Sequence, residues 1–438
     1  MVVGDDAQSI YSFRGANFKN LLNFGDHFRK IEKYKITYNY RSTPEILALA
    51  NNSINHNINQ FQKKMIPVKR SINKPKYIIV ATEEDQAKYI ANEILKCKKN
   101  GTEFTEIAIL YRSNYHSLRL QKELQKVRIP FEVRSGLSFF EQAHIKDVIA
   151  HFKIIFNPFD RLAWNRLFLL IPGLGRKSAN KILDLLEDSN DPLNKLTETN
   201  YLHSRLIGNR ISHKTIRNIA HYFKNFEKFS PESNPSLMFK PIKSLIQNYI
   251  KKRYENYEER LKDINALYEF SLDFNSIEDF LDNLNLNETE ISDSRTTKSA
   301  NKHLKSRILL STIHKAKGLE WKIVFILSLS ETLFPAQRIN DDNIDIEEER
   351  RIFYVALTRA KEELYLISPK IVKSFQGIKL LEPSRFITEL NEDLYELIDY
   401  SNSLVENLDF ENIEAHKQKF LPKFTTADEL IRNDNGSH

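Results

Sequence analysis

Thr312, His314, Lys315, Lys317 and Glu320 crowd a hydroxyl, an imidazole, two ammonium groups and a carboxylate into one short stretch of the chain. Side chains of that mixture, brought to one point, can bind and orient a polar or anionic ligand. Gly318 lies among them, and a residue without a Cβ lets the backbone come close to what is bound. The flanks indicate what must hold the stretch in place. Residues 308–310 and 323–327 are apolar runs of strand length. They predict strand, polar loop, strand, with the loop at one edge of a sheet. In open α/β sheets ligands bind beyond the carboxyl ends of strands, which makes this loop a candidate site. A solvated connection between two core strands is the alternative for the stretch taken alone.

Three further stretches carry chemistry. Residues 4–16 read Gly-Asp-Asp-Ala-Gln-Ser-Ile-Tyr-Ser-Phe-Arg-Gly-Ala, directly after Val2 and Val3, which read as the end of a buried strand. Gln8 is a side chain able to orient a water or sense a terminal phosphate. Phe13 beside Arg14 suits stacking on a base next to a backbone contact; the alternative is a strand–helix connection with a core Phe. Residues 38–44 read Tyr-Asn-Tyr-Arg-Ser-Thr-Pro, where Thr43 predicts an N-cap and Pro44 the first helical position. Tyr40 and Arg41 then sit on the loop before that helix. There an aromatic face can cover an adenine and a guanidinium can reach a phosphate. A core-edge tyrosine beside a surface arginine is the alternative. Residues 348–361 predict a helix with Ile352, Val355 and Ala356 on one face and Arg359 near its end.

The elements around these stretches alternate in type. Residues 77–81 and 107–111 predict strands, and 87–96 has helical spacing between them. That β-α-β pattern requires a parallel sheet covered by helices. Residues 110–114 end the second strand in polar groups, and 129–133 predict another strand. From about 141 the pattern becomes helical, with Ile145, Val148, Ile149, Phe152 and Ile155 at helical spacing and a break at Asn157-Pro158. Residues 171–179 form a tight Gly turn that either offers N–H groups to a DNA phosphate or makes a corner between packed helices. Basic runs at 205–217 and 240–253, interleaved with Tyr222, Phe223, Phe239 and Tyr249, suit a nucleic-acid-facing surface or plain solvated helix faces. Residues 287–303 read as a polar linker, the α/β pattern returns at 307, and 364–367 predict a closing strand.

A chain of 438 residues needs two or three cores, and its 41% hydrophobic residues can fill them. The formal net charge of +7 favours a polyanionic partner. One cysteine, Cys97, excludes an internal disulfide and a cysteine-based metal cluster. No histidine pair has metal-ligand spacing, and no metal ligands are assigned. The N-terminus has no signal layout and no apolar run reaches the roughly 20 residues needed to span a bilayer. The expectation is a cytoplasmic protein without a membrane partner.

Residues 4–16, 38–43, 311–321 and 348–361 resemble, in order, motifs III to VI of UvrD/Rep-type superfamily 1 DNA helicases. The resemblance extends over nearly everything up to about residue 390. It implies a RecA-like parallel-sheet domain (34–138 and 301–390) interrupted by an all-helical inserted domain (139–300). Residues 1–33 would be the remnant of a first RecA-like domain and 391–438 a tail. In that family two RecA-like domains clamp ATP and walk 3′ to 5′ along single-stranded DNA, opening duplex. Carried over, Gln8 senses the γ-phosphate, Tyr40 packs on adenine, and Arg41 and Arg359 face the γ-phosphate. Glu320 touches the ribose, with Gly318 allowing close approach. Tyr11, Phe13, Arg14, Arg112, Asn114, Thr312 and His314 line the DNA track.

One departure is large. The family's phosphate loop and its Asp-Glu magnesium pair belong upstream of residue 4. No Gly-x-x-x-x-Gly-Lys-Ser/Thr run occurs in the sequence, and Asp5 and Asp6 do not replace the pair. The resemblance is therefore to the C-terminal part of a helicase. It implies ATP and Mg²⁺ as cofactors, the Mg²⁺ ligands on a complementary N-terminal part, and no ATP hydrolysis by this chain alone. The other reading is a non-catalytic module that binds single-stranded DNA or a partner protein.

Overall fold

The computed structural model describes residues 2–12, 19–24, 32–134, 139–186, 189, 191–206, 211–255, 257–284, 306–336, 345–374 and 377–401. Phe13, Arg14 and the linker at 287–303 lie outside the described residues, as do the acidic loop at 341–344 and the chain after 401.

The sheet is centred on runs that are buried on both sides, Ile107–Tyr111, Ile308–Thr312 and Trp321–Ile326. Its strands are β3 (Lys76–Thr82), β4 (Ile107–Tyr111), β5 (Phe131–Arg134), β6 (Ile308–Thr312), β7 (Trp321–Ile326), β8 (Ala360–Ser374), β9 (Gly377–Leu380) and β10 (Glu396–Asp399). A separate short ribbon pairs β1 (Tyr38–Asn39) with β2 (Ile66–Pro67). The order is β10-β3-β8-β7-β4-β6-β5, and every neighbour along it is parallel; only β9 returns antiparallel on β8. A parallel sheet needs a covering layer on each face, because its crossovers place helices there. Alternate side chains serve the two layers. Ala108, Leu110, Val324, Ile326, Leu364 and Leu366 point toward helices Pro44–Ile54 and Ile346–Leu357. Ile107, Ile109, Ile323, Phe325, Tyr365 and Ile367 point toward helices Glu83–Lys99 and Leu118–Lys126.

Several expected elements take a different extent. Residues 313–316 form one helical turn inside the presumed loop. The helix expected over 348–361 ends at Leu357, because residues 360–361 already pair with β7 as strand. The closing strand runs on to Ser374. Glu396–Asp399, read as the start of a tail, form an edge strand beside β3. Val2 and Val3 are exposed and lie outside any strand.

Between β5 and β6 the chain builds a helical body with its own core, where Phe152, Trp164, Phe168, Phe223, Phe239 and Phe280 pack together. Phe223 and Phe239 are fully buried and Tyr222 nearly so. These rings are therefore core and not a stacking platform; a basic helix buries its apolar side and leaves its lysines in water. The Gly turn is a packed corner. Gly173 has φ +91°, and a Cβ there would stand 2.7 Å from the Thr215 hydroxyl. Arg119, on the helix under β5, ties this body to the sheet domain through Asp273 at 2.9 Å and Glu84 at 2.5 Å.

Candidate functional site

The stretch 312–320 crosses the sheet from one edge to the other. It leaves the carboxyl end of β6 at Thr312 and delivers Glu320 to the amino end of β7. Since β6 and β7 are parallel, the residues that looked like one site divide into two.

At the amino edge stand Arg41, Glu320, Lys361 and Arg359. Ser42 anchors the first of them, donating through its hydroxyl to the Ala360 carbonyl at 2.6 Å, while the Thr43 amide donates to Lys361 at 3.2 Å. Thr43 is the N-cap and Pro44 the first residue of the helix, although the Thr43 hydroxyl makes no cap bond. The Arg41 guanidinium donates to the Glu320 carboxylate, and Lys361 Nζ lies 3.0 Å from its other oxygen. Arg41 and then Lys361 hold the Glu320 carboxyl down to about 2. It is thus an obligate acceptor at any working pH.

Arg359 occupies the short turn between helix Ile346–Leu357 and β8 and is 1% exposed. Its guanidinium donates to the Val355 carbonyl at 3.0 Å, the Leu319 carbonyl at 3.1 Å and the Thr358 hydroxyl at 3.0 Å. All three acceptors are neutral. Among the described residues no carboxylate forms a salt bridge with it. Burial, and then the neighbouring Arg41, push its pKa down to about 10. Glu320 and Asp5 offset this only in part from a distance; a buried cation with no carboxylate in contact is costly, and an anion arriving beside it is rewarded. Tyr40 projects next to this group and is 72% exposed.

Gly318 has φ +91°, and a Cβ built on it meets no atom within 4 Å. The glycine is demanded by its backbone conformation and not by crowding in this structure. Gly318→Ala is expected to cost about 1–2 kcal/mol, the penalty of holding an L-residue at positive φ. Urea unfolding of the variant checks it, and an unchanged midpoint would show that the loop relaxes freely.

At the carboxyl edge stand Arg112, Asn114 and Thr312. Arg112, just after β4, grips Glu349 with bonds of 2.7 and 3.0 Å, and the Glu349 carboxylate also accepts the Ala336 amide at 3.2 Å. Asn114 opens a short helical turn, and its side-chain oxygen is buried without a hydrogen-bond partner among the described residues. Thr312 is half-buried at the strand end. His314 lies within the crossing itself and accepts the Tyr11 hydroxyl on its carbonyl at 2.8 Å.

The stretch 2–12 packs across this crossing. Ala7 and Ile10 are buried in the same core as Ile46 and Phe353. Lys317 donates to the Gln8 carbonyl at 2.8 Å and lies 5.3 Å from the centre of the Tyr11 ring. The Gln8 side chain donates to Asp5 at 2.7 Å, and Lys63 pairs with both Asp5 and Asp6. Gln8 and Tyr11 are thus brought onto the crossing loop. The sequence reading names Lys317 among its candidate groups but not Lys361, Lys63 or Glu349. Lys361 stands near the start of β8 and meets Glu320 there, a pairing that a helix over 348–361 does not give. Lys63 and Glu349 depend on pairings between distant segments.

The fold and the site define an α/β domain whose parallel sheet carries an anion-seeking arginine cluster at one edge, with a helical body inserted before its fourth long strand. The chain belongs to the UvrD-like helicase C-terminal domain family, which matches residues 34–370; the UvrD/REP helicase N-terminal domain family matches residues 1–29. Among curated relatives, the ATP-dependent DNA helicase PcrA of Staphylococcus epidermidis is 32% identical over 407 residues, covering 90% of this chain and 54% of the relative. The ATP-dependent DNA helicase Rep of Buchnera aphidicola is 33% identical, covering 91% of this chain and 62% of the relative. A probable DNA helicase II homolog of Rickettsia conorii is 32% identical, covering 90% and 60%. The chain therefore spans little more than half the length of the relatives it matches.

Proposed function

We propose that this chain supplies the trigger side of an ATP-dependent 3′–5′ DNA helicase and leaves the phosphate cradle to a complementary N-terminal domain. The observation that carries the reading is the gathering of Arg41, Glu320 and Arg359, drawn from three distant stretches, with Arg359 buried and, among the described residues, in no salt bridge with a carboxylate. ATP with Mg²⁺ supplies the bond whose hydrolysis drives movement. The residues here fit the part of ATP that faces away from a phosphate loop. Arg41 and Arg359 offer positive charge to the γ-phosphate, Glu320 an acceptor to a ribose hydroxyl, and Tyr40 an aromatic face to the base. Gln8, whose carbonyl accepts from Lys317 on the crossing loop, would sense the γ-phosphate.

Positioning and charge neutralisation are most of what phosphoryl transfer asks of a protein, and both need the phosphates held first. No phosphate-loop run occurs in the 438 residues. Among the described residues no group of three or more His, Cys, Asp or Glu side chains is placed to hold a metal ion. By the family resemblance, the cradle and the magnesium ligands are assigned to the N-terminal domain. Single-stranded DNA would run along the carboxyl edge, past Arg112, Asn114, Thr312 and His314, and Tyr11 would contact it too; Phe13 and Arg14, assigned to the same DNA by resemblance, lie outside the described residues. The helix Ile346–Leu357, about 18 Å long, joins that edge to the arginine cluster: Glu349 near its start grips Arg112, and its end leads into Arg359. It offers a rigid path by which DNA at one edge is felt at the other. The division into domains at 34–138, 139–300 and 301–390 follows the same reading. A cytoplasmic site of action suits DNA as substrate, and among the described residues no helix is long and apolar enough to cross a membrane.

The test is ATP hydrolysis by the purified chain in the presence of single-stranded DNA. Turnover at background level is expected. Robust turnover that Arg359→Ala abolishes would mean that the cradle lies within this sequence and that the reading is wrong.

A further inference from the structure

Two histidines of the helical body meet through one ring nitrogen each. His203 lies in helix Thr199–Leu206, and His213 begins helix His213–Lys224. They stand ten residues apart in the chain, and the fold sets their Nδ1 atoms 3.1 Å from one another. The ring centres are 4.8 Å apart and the planes inclined by 35°. His203 is half-buried and His213 exposed. The frame behind them is fixed. Leu202 and Leu206 on the first helix, and Ile216 and Ile219 on the second, are buried in the core of the body. Ser212 caps the second helix at the Thr215 amide, and Thr215 fills the space beside Gly173.

Two imidazole nitrogens at this separation share either one proton or one metal ion. A neutral imidazole has one N–H and one lone pair, so a hydrogen bond here uses the N–H of one ring and the lone pair of the other. With the proton of both rings on Nε2, two lone pairs converge instead. Imidazole holds divalent zinc, copper and nickel, with bonds of about 2.0–2.1 Å. Two such bonds at a right angle separate the nitrogens by about 3.0 Å, and at a tetrahedral angle by about 3.4 Å. The observed 3.1 Å is closer to the first, the angle of tetragonal Ni²⁺ and Cu²⁺ sites. Among the described residues no group of three or more His, Cys, Asp or Glu side chains converges, so the chain supplies two ligands and water the others. Lys214 and Arg217 are exposed on the same helix, and their charge lowers the affinity for a cation. The ion is thereby exchangeable and not a permanent structural one.

We propose that His203 and His213 form a binding site for a late first-row divalent ion of the Ni²⁺ or Cu²⁺ class, held by the two Nδ1 atoms and completed by water. The ion ties the two helices together at the surface of the helical body, close to the Gly173 corner. Its occupancy follows the free metal concentration, and the stability of the body follows its occupancy. The site stands whether or not the chain is one side of a motor.

The probe is Ni²⁺ added to the full chain in a buffer free of chelators, with uptake followed by titration calorimetry. One saturable site per chain is expected. His203→Ala and His213→Ala are each expected to weaken it at least tenfold, because losing a ligand costs no less than losing an outer-shell partner, which is worth about 10–100-fold. Both side chains reach the surface, so both variants keep the fold, and an unchanged unfolding midpoint without metal checks this. His203→Gln, polar and without an imidazole, must give the same loss. His221→Ala is the control, since it removes an exposed histidine about 12 Å further along the same helix, too far to share the ion. Saturating Ni²⁺ should raise the unfolding midpoint of the wild-type chain and leave that of His213→Ala where it was. The assignment falls if the wild-type chain takes up no Ni²⁺, or if uptake survives the loss of either histidine of the pair. It also falls if His221→Ala weakens uptake as much.

Discussion

Arg359→Ala is expected to lower ATP turnover by about 10³-fold or more when the chain is paired with an N-terminal-family domain, the range in which arginines facing a transferred phosphate act. Arg359 also has a structural share that must be separated out. Its guanidinium satisfies the carbonyls of Val355 and Leu319 and the Thr358 hydroxyl. Removing it leaves those groups without their donor, at about 1–3 kcal/mol, while also removing a buried charge that is expensive to keep. The net change in stability is therefore expected to be small beside the change in rate. Arg41→Ala provides the control, because Arg41 is half-exposed and its loss leaves no buried carbonyl unmet. Both variants should stay folded in urea titrations while kcat at saturating DNA collapses. If turnover falls only as far as the folded fraction does, Arg359 is a structural residue and the trigger assignment fails.

Arg119→Ala is the second large effect, and it concerns the joint between the sheet domain and the helical body. Arg119 is 2.9 Å from Asp273, 2.5 Å from Glu84 and 3.6 Å from Glu83, and it donates to the Glu269 carbonyl at 3.3 Å. Removing it leaves a cluster of acids facing one another in a partly buried place. A loss of about 3 kcal/mol is expected, near the lower limit for breaking a buried pair because Glu84 and Asp273 retain some water. The loss should be smaller at pH 5, where the acids can take up protons.

The same cluster makes stability depend on pH in the wild-type chain. Burial first, and then Glu83, push the Glu269 carboxyl up to about 8. In the folded state it holds its proton up to that pH, whereas the unfolded chain releases it near 4.5. The folded state thus binds more protons between those values, so stability falls as pH rises through this window and the penalty is complete above it. Glu269→Gln should remove that slope. At pH 9 the variant is expected to be about 1–3 kcal/mol more stable than the parent, with no advantage at pH 4. Parallel slopes for the two proteins would show that Glu269 titrates as an ordinary carboxyl.

Much of the fold could be read along the chain because the signals are local. The buried strands at 107–111 and 308–312 are short apolar runs, and the helix at 44–54 is announced by Thr43-Pro44. Helix ends were harder. Residues 359–361 have helix-favouring types, yet 358–359 form a turn, and pairing of residue 360 with Trp321 and of the Thr43 amide with Lys361 takes 360–361 into strand. Hydrogen bonds offered by neighbours outweigh a propensity difference of a few tenths of a kcal/mol per residue. Tyr222, Phe223 and Phe239 misled for a related reason: an aromatic near lysines has the same spelling whether its ring stacks on a base or fills a core.

The amino-acid order by itself determined that a covered parallel sheet is interrupted by helices, and that Arg41, Glu320 and Arg359 lie in stretches that resemble helicase motifs. Only the tertiary structure decided that these three meet at the amino edge while Arg112 and Thr312 stand at the opposite one. The reason is geometric. Two parallel strands force the chain between them to cross the whole sheet, so a nine-residue stretch, 312–320, that reads as one loop serves two edges. It likewise decided which charges are paired, because Arg112 with Glu349 and Lys63 with Asp5 are neighbours in space alone.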